Sequence, residues 1–111
     1  MIIANSIHKH ARLSCKKAVH VTRIIQGRRA DEALDLLRFI PKKSARFLFK
    51  VLTSAVANAK SQHGLLPGNL LIAEAAAESA SSFRRYNPGP RGQAMPIRKH
   101  TCHLRVALIV A

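Results

Sequence analysis

Leu70-Leu71-Ile72-Ala73-Glu74-Ala75-Ala76-Ala77-Glu78-Ser79-Ala80-Ser81-Ser82 is the stretch on which the fold turns. Its Ala and Glu content favours a helix on intrinsic propensity. Its place in the chain favours a strand. Ile97 to Val110 further on is strand-like, with the β-formers Thr101, Val106, Ile109 and Val110, and with Arg98, His100 and Cys102 alternating against Lys99, Thr101 and His103. A strand needs a partner, and residues 70–82 are the nearest candidate. Pairing the two makes a hairpin whose connector, Phe83 to Pro96, carries the turn-forming Pro88, Gly89, Pro90, Gly92 and Pro96. Propensity and topology conflict here, and the residues alone leave both readings open.

Upstream the pattern is helical. Residues 11–26 read as an amphipathic helix, with Ala18, Val21 and Ile25 at helical spacing, Leu13 and Ile24 in support, and Gly27 where a left-handed cap would stop it. Its other side carries Arg12, Lys16, His20 and Arg23 at intervals of four, four and three, a basic stripe about three turns long. A short second helix starts near Asp31 and Glu32, whose carboxylates suit the positive end of a helix dipole, and runs through Ala33, Leu34, Leu36 and Leu37 until Pro41 breaks it. Residues 42–61 have the clearest period. Ala45, Leu48, Leu52, Ala55, Val56 and Ala59 keep one apolar face for about five turns, roughly 30 Å. Lys43, Arg46 and Lys50 form a second basic stripe on another side.

With 111 residues and no internal repeat or linker, the chain is expected to form one domain. Nineteen Lys and Arg against five Asp and Glu give a formal charge of +14, which calls for a polyanionic partner. The apolar fraction of 48% supplies material for a core, so the chain is more than a disordered basic tail. Three of the acids, Asp31, Glu32 and Asp35, fall within five residues, and from Ser79 to Ala111 six Lys and Arg face no acid at all. No apolar run approaches the roughly 18 residues of a membrane span, and Met1 to His8 shows no secretory pattern, so a cytoplasmic protein with no membrane partner is expected. Cys15 and Cys102 are too few for a disulfide scaffold and are expected to be thiols, packed as small side chains.

Catalysis has no visible apparatus. The acids cluster at one helix start, and no glycine-rich phosphate loop occurs, so neither an enzyme nor a small-molecule substrate is expected. His8, His10, Cys15, His100, Cys102 and His103 lack the paired short intervals of a structural zinc site, and no metal or cofactor is expected. His100 and His103 lie in a basic strand, where they read as hydrogen-bonding or stacking groups facing RNA. In Phe83-Arg84-Arg85-Tyr86-Asn87-Pro88-Gly89-Pro90-Arg91-Gly92, planar cations and an aromatic suit phosphates and bases.

These residues resemble a family: the universal twenty-second protein of the large ribosomal subunit, in its bacterial form. The likeness runs over almost the whole chain. Lys17-Ala18-Val19, Ile24-Ile25-Gln26-Gly27-Arg28-Arg29 and Asp31-Glu32-Ala33-Leu34 are similar to the family's basic helix, glycine turn and acidic second helix. Pro41-Lys42-Lys43-Ser44-Ala45 and Val51-Leu52-Thr53-Ser54-Ala55-Val56-Ala57-Asn58-Ala59 resemble its most recognisable block, followed by His63-Gly64-Leu65 and Asn69-Leu70. Arg84-Arg85, Pro88, Gly92, Arg98-Lys99, Thr101 and His103 match its C-terminal spacing. Gly89, Pro90, Met95, Pro96, His100, Cys102 and the Ala- and Ser-rich stretch Glu74–Ser82 depart from it.

The resemblance implies an α+β fold, with three helices packed on a small antiparallel sheet and a long projecting β-hairpin, and it makes residues 70–82 a strand. The single domain 1–111 would divide into a globular body, about 1–72 and 104–111, and an extended hairpin, about 73–103, with its tip at 83–96. Half of the 14-residue connector, taken as extended chain, would carry the tip about 23 Å beyond the paired strands. The implied function is structural: binding large-subunit rRNA, supporting assembly, and lining the nascent polypeptide exit tunnel with the hairpin tip. The implied partners are rRNA, neighbouring large-subunit ribosomal proteins and the nascent polypeptide. Residue patterns and resemblance together assign rRNA binding to Arg12, Lys16, Lys17, Arg23, Lys43, Arg46, Lys50, Asn58, Arg84, Arg85, Arg91, Arg98, Lys99, His100, Thr101 and His103. The tunnel tip would be Arg84, Arg85, Tyr86, Asn87, Pro88, Gly89, Pro90, Arg91 and Gly92. The alternative is a small basic DNA-binding protein, with Gly27 turning between two helices.

Overall fold

In the computed structural model, which describes residues 2–111, the ambiguous stretch is a strand. The elements are β1 (Ala4–Ala11), α1 (Cys15–Ile25), α2 (Ala30–Phe39), α3 (Lys43–His63), β2 (Leu70–Ser79), β3 (Phe83–Pro88), β4 (Ala94–Lys99) and β5 (Cys102–Val110). β5 lies at the centre of an antiparallel sheet ordered β1-β5-β2, while β3 and β4 form a separate two-stranded ladder. Leu104, Val106 and Leu108 of β5 are fully buried beneath the helices, so the strand's backbone groups must be satisfied from both sides. β2 supplies one side, from Leu70 opposite Val110 to Ser79 opposite Cys102. That ladder outweighs the helix propensity of alanine.

Two features hid the strand. The register shifts between Ile72 and Glu74, so Leu70 and Ile72 before the bulge, and Ala75 after it, all join the core, which breaks the two-residue alternation. Glu74 and Glu78 are four apart, a spacing that puts two side chains on one face of a strand as readily as on one face of a helix. Arg105 of β5 bridges them, with Nη2 at 2.8 Å from Glu74 Oε1 and 3.1 Å from Glu78 Oε1.

β1 takes residues that helical spacing would have given to α1. Ala11 pairs with Cys102 as the last residue of β1, and the helix starts only at Cys15. Leu13 is buried in the intervening turn, and Ile24 is 43% exposed, so neither belongs to the helix's apolar stripe. Ala18, Val21 and Ile25 are buried as that stripe requires. Gly27 adopts the left-handed conformation expected of it (φ 84°), one residue beyond the cap at Gln26. Its N–H donates to Ile72 O and Ile72 N–H donates to Arg28 O, both at 2.9 Å, which stitches the α1–α2 turn to β2. α3 is a 21-residue rod, about 31 Å long, that ends at left-handed Gly64. Ala45, Leu48, Leu52, Ala55 and Ala59 are fully buried, whereas Val56 is half-buried and Ser44 and Val51 join the buried set.

The β2–β5 ladder hands over to β3–β4 across Ala80–Ser82 and His100–Thr101, which makes one long hairpin. The connector is therefore no 14-residue loop. Phe83 pairs with Lys99 and Pro88 with Ala94, and only residues 89–93 turn. At the turn Gly89 comes so close to the returning chain that a Cβ would sit 2.6 Å from Gln93 O and 2.9 Å from Met95 Cγ, so only glycine fits. The molecule measures 62 × 25 × 17 Å, and its radius of gyration of 16.9 Å exceeds the roughly 13 Å of a compact chain of this length. The difference is the hairpin.

Candidate nucleic-acid interface

Charge on this molecule is almost wholly uncompensated. Arg29 pairs with Asp31 and Glu32, and Arg105 pairs with Glu74 and Glu78. Among the described residues no other Lys or Arg meets a carboxylate, which leaves seventeen cations without one. They concentrate on two surfaces.

The first lies where α1 and α3 begin. Ser14 and Lys42 precede these helices without a side-chain cap, so both N-termini keep backbone N–H groups free of side-chain partners. Between them opens a cleft of about 510 Å³ lined by Leu13, Ser14, Lys17, His20, Lys42, Lys43 and Ser44. Free amides, the positive ends of two helix dipoles and three lysines converge on one apolar-floored hollow, an arrangement that attracts phosphate. Further along α3, exposed Arg46 and Lys50 join Arg38 around a second hollow with Phe39, which is 84% exposed.

The second surface is the hairpin. Every side chain of β3 is exposed, and of β4 only Ile97 is partly covered, so no apolar core holds this ladder together. Arg84 stands directly opposite Arg98, a like-charge pair that destabilises a two-stranded ladder in water. An anion between them reverses that sign. At the root, the Arg12 guanidinium lies 5.3 Å and that of Arg85 5.6 Å from the centre of the Phe83 ring. Arg12 is thus not on α1, as its spacing suggested, but in the β1–α1 turn, from which it ties the body to the hairpin. Tyr86, opposite Pro96, is 66% exposed.

Residues 6–109 match the profile of a family described as ribosomal protein L22p/L17e. The chain belongs to that family. It is 44% identical over 103 residues to the large ribosomal subunit protein uL22 of Opitutus terrae, which covers 93% of this chain and 91% of the relative. To the protein of the same name from Finegoldia magna it is 41% identical over 105 residues, 95% of this chain and 94% of the relative. The Synechococcus elongatus protein is 43% identical over 103 residues, 93% of this chain and 88% of the relative. As a member of this family the chain is a structural component of the large ribosomal subunit, not an enzyme. The three helices, antiparallel sheet and hairpin are the architecture that the resemblance implied.

Most of the residues assigned to rRNA are at the surface. Lys16, Lys17 and Arg23 are exposed on α1, Lys43, Arg46 and Lys50 on α3, and Arg84, Arg85, Arg91, Arg98, Lys99 and His100 on the hairpin. Three others use their polar groups internally. Thr101 is 2% exposed and its hydroxyl donates to Ser81 O, which fastens the hairpin root. Asn58 Nδ2 donates to Asn5 O at 3.1 Å, holding α3 to β1. His103 Nδ1 accepts the His10 backbone N–H at 3.1 Å. Lys42 and Arg38 are cleft residues that spacing does not assign to the site, because Lys42 precedes α3 and Arg38 follows the acidic start of α2, so neither belongs to a stripe. Among the described residues, no group of three or more His, Cys, Asp or Glu is placed to hold a metal ion, and no helix is long and apolar enough to cross a membrane.

Proposed function

We propose that the chain binds large-subunit rRNA through both basic surfaces, supports assembly of the subunit, and lines the nascent polypeptide exit tunnel with its hairpin tip. The observation that carries this reading is Arg84 opposite Arg98 on a ladder with no core of its own. Such a hairpin is ordered by what it binds, and a surrounding of phosphates and bases supplies the missing contacts. Arg84, Arg85, Arg91, Arg98 and Lys99 take phosphates there, and Tyr86 stacks on a base or packs against the tunnel wall. On the body, the α1–α3 cleft seats backbone phosphate with Lys17 and Lys43, while Lys16, Arg23, Arg46 and Lys50 broaden the contact. Arg12, Asn58, Thr101 and His103 act by shaping these surfaces. The partners are rRNA, neighbouring large-subunit proteins and the nascent polypeptide, in the cytoplasm. A DNA-binding reading leaves the basic hairpin without a purpose.

The test removes both hairpin arms together, since excising Arg84–Gly92 alone would strand β4. With Phe83 joined to Lys99 through an Asn-Gly turn, the body is expected to keep its stability within about 0.5 kcal/mol. The variant should enter the large subunit in cells, and macrolide susceptibility or nascent-chain stalling should change. Normal drug response together with normal stalling would count against the tunnel role, and failure to assemble would show that the hairpin is needed for incorporation.

A further inference from the structure

The two cysteines are 87 residues apart in sequence, yet their sulfurs lie 3.1 Å from each other. Cys15 is the first residue of α1 and Cys102 the first of β5, at the point where the hairpin leaves the body. A contact this close is inside the van der Waals separation of two sulfurs, and about 1 Å of approach closes it to a covalent bond. Cys102 is fully buried. Cys15 is half-buried and lines a solvent-open cleft of about 440 Å³ with Ser14, Lys16, Ser79, His100 and Thr101. One thiol is therefore reachable and the other waits behind it.

We propose that Cys15 and Cys102 are a modification site, at which an anionic low-molecular-weight disulfide of the glutathione class oxidises the free chain to an intramolecular disulfide. Cys15 as thiolate attacks one sulfur of glutathione disulfide and expels one glutathione thiolate, which leaves Cys15 as a mixed disulfide. Cys102 then loses its proton and attacks the Cys15 sulfur, expelling the second glutathione. Two protein thiols are oxidised, one disulfide is reduced to two glutathione molecules, and no other co-reactant is needed. The order follows from access, and burial, helped by the adjacent Cys15 thiol, pushes the Cys102 thiol up to about 12, which disfavours it as the first nucleophile. Lys16, in the wall of the entrance, favours an anionic oxidant. The bond pins the start of α1 to the root of the hairpin and closes a loop of most of the chain.

The experiment exposes the folded full-length chain to glutathione disulfide and follows intact mass and non-reducing peptide maps. The wild type is expected to end two hydrogens lighter, with a Cys15–Cys102 cross-linked peptide and a Tm raised by about 10 °C or more, all reversed by a reducing thiol. Cys102→Ser should stop at a single glutathione adduct on Cys15. Cys15→Ser should stay unmodified while folded. A wild type that accumulates the Cys15 adduct without closing, or that links into dimers, would overturn the proposal. It stands apart from rRNA binding, so either reading can fail without the other.

Discussion

Raising salt from 50 to 200 mM is expected to lower the chain's affinity for its rRNA segment by roughly 250- to 1,000-fold. The figure follows from counterion release at a minimum of six phosphate contacts, a log–log slope between about −4 and −5. Six is a conservative number for a molecule with seventeen cations that meet no carboxylate, eight of them in the α1–α3 cleft or on the hairpin. Internal ion pairs would have flattened the slope, and Arg29 and Arg105 are the two arginines so engaged among the described residues. A filter-binding or fluorescence titration over that range measures it. A slope shallower than about −2 would mean that fewer than three phosphates are neutralised, and the basic surfaces would lose their assigned role.

Leu104→Ala is expected to cost about 2–5 kcal/mol of folding stability, or a fall in Tm of roughly 10–20 °C. Leu104 is fully buried on the central strand, between His103 and Arg105 on the outer face, and no neighbouring strand can move in to fill the space, because both ladders fix β5 in place. Phe39→Ala is the matching control. That ring is 84% exposed, and its loss should change stability by less than about 0.5 kcal/mol. Denaturant unfolding of the two variants decides the matter: similar midpoints would mean that the core is not where the burial pattern puts it.

What the sequence disclosed followed the range of the forces involved. α3 was legible because its apolar face repeats over five turns, and such a face needs only some surface to cover. β1 was invisible for the opposite reason. Of its eight residues only Ala4 and Ala11 are buried, Ile7 is 51% exposed, and a register shift between His8 and Ala11 breaks what alternation there is. The strand exists because β5 needs a second partner, a fact written 90 residues away. β2 was settled by family resemblance against its own propensity, for the reasons its bulge and its alanines make plain. At the site, exposed basic stripes on α1 and α3 could be read from spacing alone. The cleft they share could not, since it depends on two helix N-termini meeting in space. Arg12 and Thr101 show the same limit, one displaced from its helix into a turn and the other turned inward, each by the hairpin root it supports. The Cys15–Cys102 contact left no trace in sequence.

The β3–β4 ladder has no apolar core of its own, and under the proposed function rRNA supplies one. Hydrogen exchange measured on the free chain and again on the assembled large subunit tests this directly. In the free chain, the cross-strand amides of Phe83–Lys99 are expected to exchange within seconds while those of Leu104–Leu108 hold, and in the subunit both segments should be protected. Protection of 83–99 already in the free chain, or unchanged fast exchange there in the subunit, would contradict it.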